Sequence, residues 1–484
     1  MRENYHKADS VKKNAVMSLI LTVSTMLFPI ISFPYAARVL TPVGTGRVSF
    51  AVSFISYFSM IAQLGIPTYG IRACARVRDD KTELTRVVHE LLLINLAMDV
   101  VSYVALIISL LFVPRLQEDK MLYILVSLTI VLTSIGVEWL YKALEQYKYI
   151  TIRSLVFKLI SLISLFLLVH SQDDYIVYGG ITIFAASASN ILNFINIRKY
   201  IYLKSVGNYN FKRHFKAVFT FFAMACAVTV YTNLDMVMLG FMKTDADVGY
   251  YNAAIKIKSI LVSVVTSIGA VLLPRSSYYI ERGELDKFRE VSKKALIFVF
   301  FAAIPTFLYF IIYAKEGILF LSGSAYYPAI NPMKVIMPTV LFIGITNIFG
   351  IQMLIPLGKE NQVLYSEIIG AVVDLILNLI LIPRFGALGA AIGTLIAEFA
   401  VLLYQLRAIS DERKYLSVNK SIVRYLVVAI ASAILCLWVK GIHVSNFFAL
   451  CLSAITMFGF YALCLLLLKD DMIQEIFSKK LEKN

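Results

Sequence analysis

The sequence predicts an all-α polytopic membrane protein with about 14 transmembrane helices, and three observations lead there. First, 59% of the 484 residues are hydrophobic and only 16% are charged, against roughly 45–50% apolar residues in a soluble chain. Second, the apolar residues fall into runs of about 20, the length a helix needs to cross a bilayer core about 30 Å thick. Third, lysine and arginine gather in alternate connections between those runs. No water-soluble core could use so many apolar residues and leave a wettable surface. A soluble enzyme, a disordered chain, a secreted disulfide scaffold and a nucleic-acid binder are therefore excluded as main readings. The net charge of +15 needs no nucleic-acid partner, because its placement follows membrane topology.

Bounded by charges and turn residues, the runs read as about 14–40, 45–71, 87–113, 121–141, 153–170, 175–197 and 215–242 in the first half. They continue as about 250–273, 295–314, 330–356, 362–383, 387–408, 422–440 and 446–468. An even number of spans puts both termini on one side. The tails and the even-to-odd connections hold 34 of the 46 lysines and arginines. The odd-to-even connections hold Arg38, Arg47, Arg115, Lys120, Lys243, Lys315, Arg384 and Lys440. The positive-inside bias places both termini in the cytoplasm. The chain shows no cleavable leader, since the apolar run behind Lys12 and Lys13 is too long for one.

No connection is long enough to fold as a domain, which favours transport over chemistry. The five cysteines form no C-x-x-C pair and the histidines form no H-E-x-x-H, so neither a metal site nor a cofactor is expected. An internal repeat divides the chain. Gly46 precedes Arg72 by 26 residues and Gly249 precedes Arg275 by 26, and the same offset of 203 carries Glu83 to Asp286 and Arg86 to Arg289. Two parallel six-helix lobes follow, at 1–200 and 201–415, with two further helices and a tail at 416–484.

A charge in hydrocarbon costs several kcal/mol, so charged residues inside the runs face a cavity or a partner. Arg38 and Arg47 flank the turn Thr41-Pro42-Val43-Gly44 and either reach to the interface or rim a cationic cavity for an anionic headgroup. Glu138 and Lys158 lie about one helical turn inside their runs and are expected to reach to the interface. Asp235 and Lys256, each about 10 Å deep on helices joined by a short loop, are expected to pair, and Lys256 shares a face with Asn252. Asp99, Asp374 (on a face with Asn378) and Glu398 fall near mid-membrane, as candidates for proton or sodium coupling or as packed, hydrogen-bonded groups. Ser187, Asn190 and Asn193 share one helical face, suited to sugar hydroxyls or to bonds between helices. Gly386, Gly389 and Gly393 read as close helix packing. These features select an anionic or zwitterionic substrate.

The run F-P-Y-A-A-R-V-L-T-P-V-G-T-G-R, Phe33 to Arg47, resembles the opening motif of the Wzx-like polysaccharide flippases in the MATE-containing MOP superfamily, with Thr41 where a glycine is common. L-G-I-P-T-Y-G-I-R from Leu64, N-L-D-M-V-M-L-G from Asn233 and the stretch from Asn378 to Glu398 resemble it too. The resemblance implies a MATE-like fold of 14 helices that flips undecaprenyl-pyrophosphate-linked oligosaccharide units across a bacterial plasma membrane by alternating access. It implies a cavity lined by Arg38, Arg47, Asp235 and Lys256, with membrane lipids, a polymerase and glycosyltransferases of the same pathway as partners. A drug or cation exporter and a lipid II flippase of the same fold are the alternatives. A membrane glycosyltransferase would need a large loop or a metal-binding acidic motif.

Overall fold

The computed structural model describes residues 11–416, 419–442 and 444–474, and every regular element among them is helical. Twelve helices are long and apolar enough to cross a membrane, or thirteen when Ser324–Ile336 and Thr339–Leu354, bent by 45°, form one broken span. The longest stretch, Lys13–Arg76, has 64 residues and would reach roughly 95 Å if straight, three times a bilayer core. It is not straight. At Thr41 the backbone takes φ 60 and ψ 178, a conformation that ends one helix and starts another. Pro42 supplies no N–H to carry the helical ladder across, and it pushes the residue before it toward extended ψ. Counting the stretch as two spans brings the total to the fourteen that hydropathy predicts.

A second break, with φ 44 at Leu64 and φ 73 at Gly65, separates Gln63 from the short helix Ile66–Arg76, where Pro67 stands in the first turn. A Cβ on Gly65 would overlap the backbone of Phe221 and Phe222, so this crossing accepts only glycine. The third span starts earlier than the apolar run suggests. Asp80 accepts the N–H groups of Thr82 and Glu83 at 2.8 and 3.0 Å and so caps Lys81–Phe112 six residues ahead of position 87. Charged residues simply extend the helix beyond its apolar part.

By packing, the chain forms two units, one ending at Gly249 and the other beginning at Tyr250. In the first, Val11–Gln63 packs against Lys81–Phe112, Lys120–Gly136, Tyr147–Leu168 and Lys212–Met242. The Lys212–Met242 helix is thus part of the first unit, which extends past residue 200. Leu84, Leu91, Trp139 and Tyr141 belong to one of its apolar clusters. In the second, Glu360–Phe385 lies tightly on Ala387–Ala408, and a Cβ on Gly389 would overlap the Leu381 carbonyl. The glycines after Gly386 thus serve close packing, as their spacing suggests. Leu285–Ile312 packs against Asn419–Cys436 in the same unit. Large apolar side chains such as Val100, Ile107, Leu111 and Phe112 stay exposed, as lipid-facing residues must. All five cysteines are unpaired.

Candidate functional site

The first unit carries an open cavity of about 480 Å³, walled by residues of Val11–Gln63, Lys120–Gly136, Tyr175–Ile183 and Lys212–Met242 together with the break at Gly65. Its polar groups are hydroxyls and amides, including Ser56, Ser59, Gln63, Thr129, Thr229 and Asn233, set among Val52, Met60 and Ile183, and no charged side chain lines it. Mixed apolar and neutral polar walls suit a ligand with many hydroxyls and no charge, with donors and acceptors spaced along apolar faces. Behind the wall, Gln63 Nε2 donates to Ser134 Oγ at 3.1 Å, and the Ser134 hydroxyl donates to Asp99 Oδ1 at 2.7 Å.

The three residues expected to share a sugar-facing stripe are all buried and bond helices together. Ser187 Oγ lies 2.9 Å from the hydroxyl of Thr129, which lines the cavity. Asn190 Oδ1 accepts from Arg153 Nη1 at 2.8 Å, and Asn193 Nδ2 donates to the Gly136 carbonyl at 2.8 Å. A π-helical turn, Phe184–Ala188, carries Ser187 toward Thr129.

Neither Arg38 nor Arg47 lines the cavity. Arg38 is exposed and donates to the Pro34 carbonyl at 2.7 Å, one turn back. Arg47 is engaged: its Nε donates to Asp245 Oδ2 at 3.1 Å, Asp119 Oδ1 lies 3.6 Å from Nη1, and its guanidinium sits 5.0 Å from the Tyr175 ring centre. Tyr175 donates to Asp119 at 2.6 Å, while Arg115 pairs with the same Asp245 and donates to the Gly240 carbonyl at 3.1 Å. This cluster ties the turn after Thr41 to the turn before Asp245. The backbones touch as well, since a Cβ on Gly46 would overlap the Asp245 carbonyl and one on Gly249 the Pro42 carbonyl. The repeat names Gly46 and Gly249 as counterparts, and the structure makes them neighbours. The same offset places Asp245 opposite Pro42, and that was the available signal for a residue that sequence reading missed.

Asp235 is buried in the first unit. Asn252, Asp374, Asn378 and Glu398 are buried in the second, where Lys256 is half-buried. Two residues expected to reach to the interface also have specific partners. Glu138 pairs with Lys142 at 2.9 Å and Arg153 at 3.1 Å, and Lys158 donates to Ser24 at 3.0 Å and Thr25 at 2.8 Å.

A further charged cluster lies outside the residues that the sequence singles out. Glu90, fully buried, accepts from the Asn210 N–H at 2.5 Å, from Arg213 Nε at 2.9 Å, and lies 2.6 Å from His214 Nε2. The other ring nitrogen of His214 is 2.8 Å from the Tyr69 hydroxyl, and Arg213 also reaches Glu83 at 2.6 Å. The cluster pins the connection before Lys212–Met242 to the third span. Among the described residues, no group of three or more His, Cys, Asp or Glu is placed to hold a metal ion.

The family model described as polysaccharide biosynthesis protein matches residues 11–280, and the MatE model matches residues 221–380. A candidate O-antigen transporter of Shigella dysenteriae is 27% identical over 418 residues, covering 82% of this chain and 100% of its own. Its counterpart from Escherichia coli strain K12 is 23% identical over 411 residues, covering 84% and 98%. In fold the chain is similar to the lipid II flippase MurJ in its inward closed conformation, with a TM-score of 0.68 across 96% of this chain and 99% of that one. At 17% identity that likeness is one of fold alone.

Proposed function

We propose that this chain, which belongs to the polysaccharide biosynthesis protein family, is a flippase for undecaprenyl-pyrophosphate-linked oligosaccharide units. It is a multi-pass membrane transporter, and we place it in the bacterial plasma membrane with both termini in the cytoplasm, on the strength of its lysine and arginine distribution. The observation that carries the reading is likeness to O-antigen transporters over more than four fifths of the chain.

The physical task is clear. A pyrophosphate and its sugars cannot pass about 30 Å of hydrocarbon unaided, because each unpaired polar group costs several kcal/mol. A polar cavity offsets that cost while the polyprenyl tail stays in lipid, and alternating access changes the leaflet the headgroup faces. In this reading the hydroxyl- and amide-lined cavity of the first unit takes uncharged sugars, and Ser187, Asn190 and Asn193 hold its walls from behind. Arg38 is an exposed cation of the first unit on the first-span turn, and we assign it the phosphate contact. Arg47 joins it only when Asp245 lets go. In the second unit Lys256 and Asn252 offer a cation and an amide on one helical face. Transport draws on a proton or sodium gradient through one or more of Asp99, Asp235, Asp374 and Glu398. Glycosyltransferases and a polymerase acting on the same lipid-linked glycan are the expected pathway partners.

The test is complementation. Expression in a bacterium deleted for its own O-antigen flippase should restore surface polysaccharide, and Arg38→Ala should reduce it at unchanged protein level. Rescue of a strain depleted of its lipid II flippase, or drug resistance without surface glycan, would overturn the assignment.

A further inference from the structure

One face of the third span concentrates buried polar groups around Asp99, one of the four coupling candidates named above. Asn95, Asp99 and Ser102, spaced i, i+4 and i+7 on Lys81–Phe112, are 0%, 4% and 0% exposed. Asn95 Nδ2 donates to the Ala62 carbonyl at 2.9 Å, yet Asn95 Oδ1, Asp99 Oδ2 and Ser102 Oγ have no hydrogen-bond partner among the described residues. Asp99 Oδ1 has one donor, Ser134. Around it, Val11–Gln63 contributes Ala62 and Gln63, and Lys120–Gly136 contributes Ser127 and Ser134, none of them charged. The titratable group that interacts with Asp99 is Tyr103, one turn along, whose hydroxyl donates to the Ser127 carbonyl at 2.8 Å.

A carboxylate this deep, with a single donor and no cation, is costly in its ionised form. A proton on Oδ2 removes the charge and needs no rearrangement. The route by which the cavity can influence that proton is already built. Gln63 lies on the cavity wall, its amide donates to Ser134, and Ser134 donates to Asp99. Donation from Gln63 polarises the Ser134 hydroxyl and strengthens the bond that supports an ionised Asp99.

We infer that Asp99 is a proton-carrying site of the transport cycle, addressed from the cavity through Gln63 and Ser134. The inference rests on the flippase reading for what occupies the cavity. A sugar hydroxyl that captures the Gln63 carboxamide weakens the relay and draws a proton onto Asp99. By linkage, a protonated Asp99 frees Gln63 for the sugar. The exchange is a simple one: the carboxylate takes one proton from water in the cavity to become a neutral acid, and later returns it to water. Only an O–H bond forms or breaks.

The experiment uses the full chain in liposomes, with infrared difference titration alongside transport of a fluorescently labelled undecaprenyl-pyrophosphate oligosaccharide. Asp99→Asn should remove one protonated-carboxyl band from the spectrum. Ser134→Ala should keep that band and move it to higher frequency, because the acid loses its hydrogen-bonded neighbour, and this variant preserves the test where Asp99→Asn folds poorly. An imposed pH gradient should accelerate transport by the wild type and not by Asp99→Asn. An unchanged carboxyl spectrum in Asp99→Asn, a pH-gradient response that survives the substitution, or acceleration by sodium alone would overturn the proton site. Wild-type protein that moves no glycan under any gradient would instead strike the flippase reading, and the infrared band would still decide whether Asp99 carries a proton.

Discussion

Two clusters of opposite charges in the first unit, one around Glu90 and one around Asp245, are built for different work. Glu90 is fully buried, His214 nearly so, and together with Arg213 they join a connecting segment to the side of a helix. At Asp245 the carboxylate keeps slight exposure, 11% against 0% for Glu90, and the groups joined are two turns whose backbones already touch. A buried charge that loses its partner is stranded, so the Glu90 cluster acts as a permanent fastening. The Asp245 carboxylate is less enclosed and has two arginines to share, so its cluster suits a contact that opens and closes.

Substitutions should expose that contrast in order of size. Glu90→Ala leaves Arg213 and His214 facing an empty site and should cost about 3–5 kcal/mol, read as a large fall in melting temperature and in purified yield. Thr41→Gly should act in the opposite direction. Thr41 holds a φ/ψ combination that is essentially reserved for glycine and costs of order 1–3 kcal/mol in any other residue, so relieving it should raise the melting temperature measurably. Asp245→Asn should cost less than Glu90→Ala, because the Asp245 carboxylate keeps some exposure and Glu90 has none. Its effect should shrink further at high salt, which screens partly exposed charges more than fully buried ones. If Glu90→Ala proved as mild and as salt-sensitive as Asp245→Asn, the distinction between fastening and reversible contact would collapse.

Much of this architecture was legible before any coordinates. Hydropathy located the spans because each must be apolar over its whole length, and the Thr41-Pro42 turn showed itself through proline. The unusual threonine at position 41 was noticed as a departure from a resembling motif, and its backbone angles explain why glycine is the easier choice there. Asp99 stood out for its depth, but the Ser134 and Gln63 that reach it come from other helices, 35 and 36 positions away. Arg47 was visible, whereas its partner Asp245 lies 198 residues on. Pairings of that kind depend on which helices pack together, and periodicity within one segment carries no record of it. The Glu90 cluster was missed for a related reason: a hydropathy window places the third span's start at 87 and treats an acid in the first turn as a boundary, although capping by Asp80 sets the true start.

The cavity wall of the first unit is built from neutral side chains. Since none of its lining side chains bears charge, exchanging serine for threonine or asparagine for glutamine there alters shape and hydrogen-bond direction without leaving an ion uncompensated. A lineage can therefore retailor this pocket for a new glycan one residue at a time, while the ionic fastenings elsewhere keep the scaffold standing.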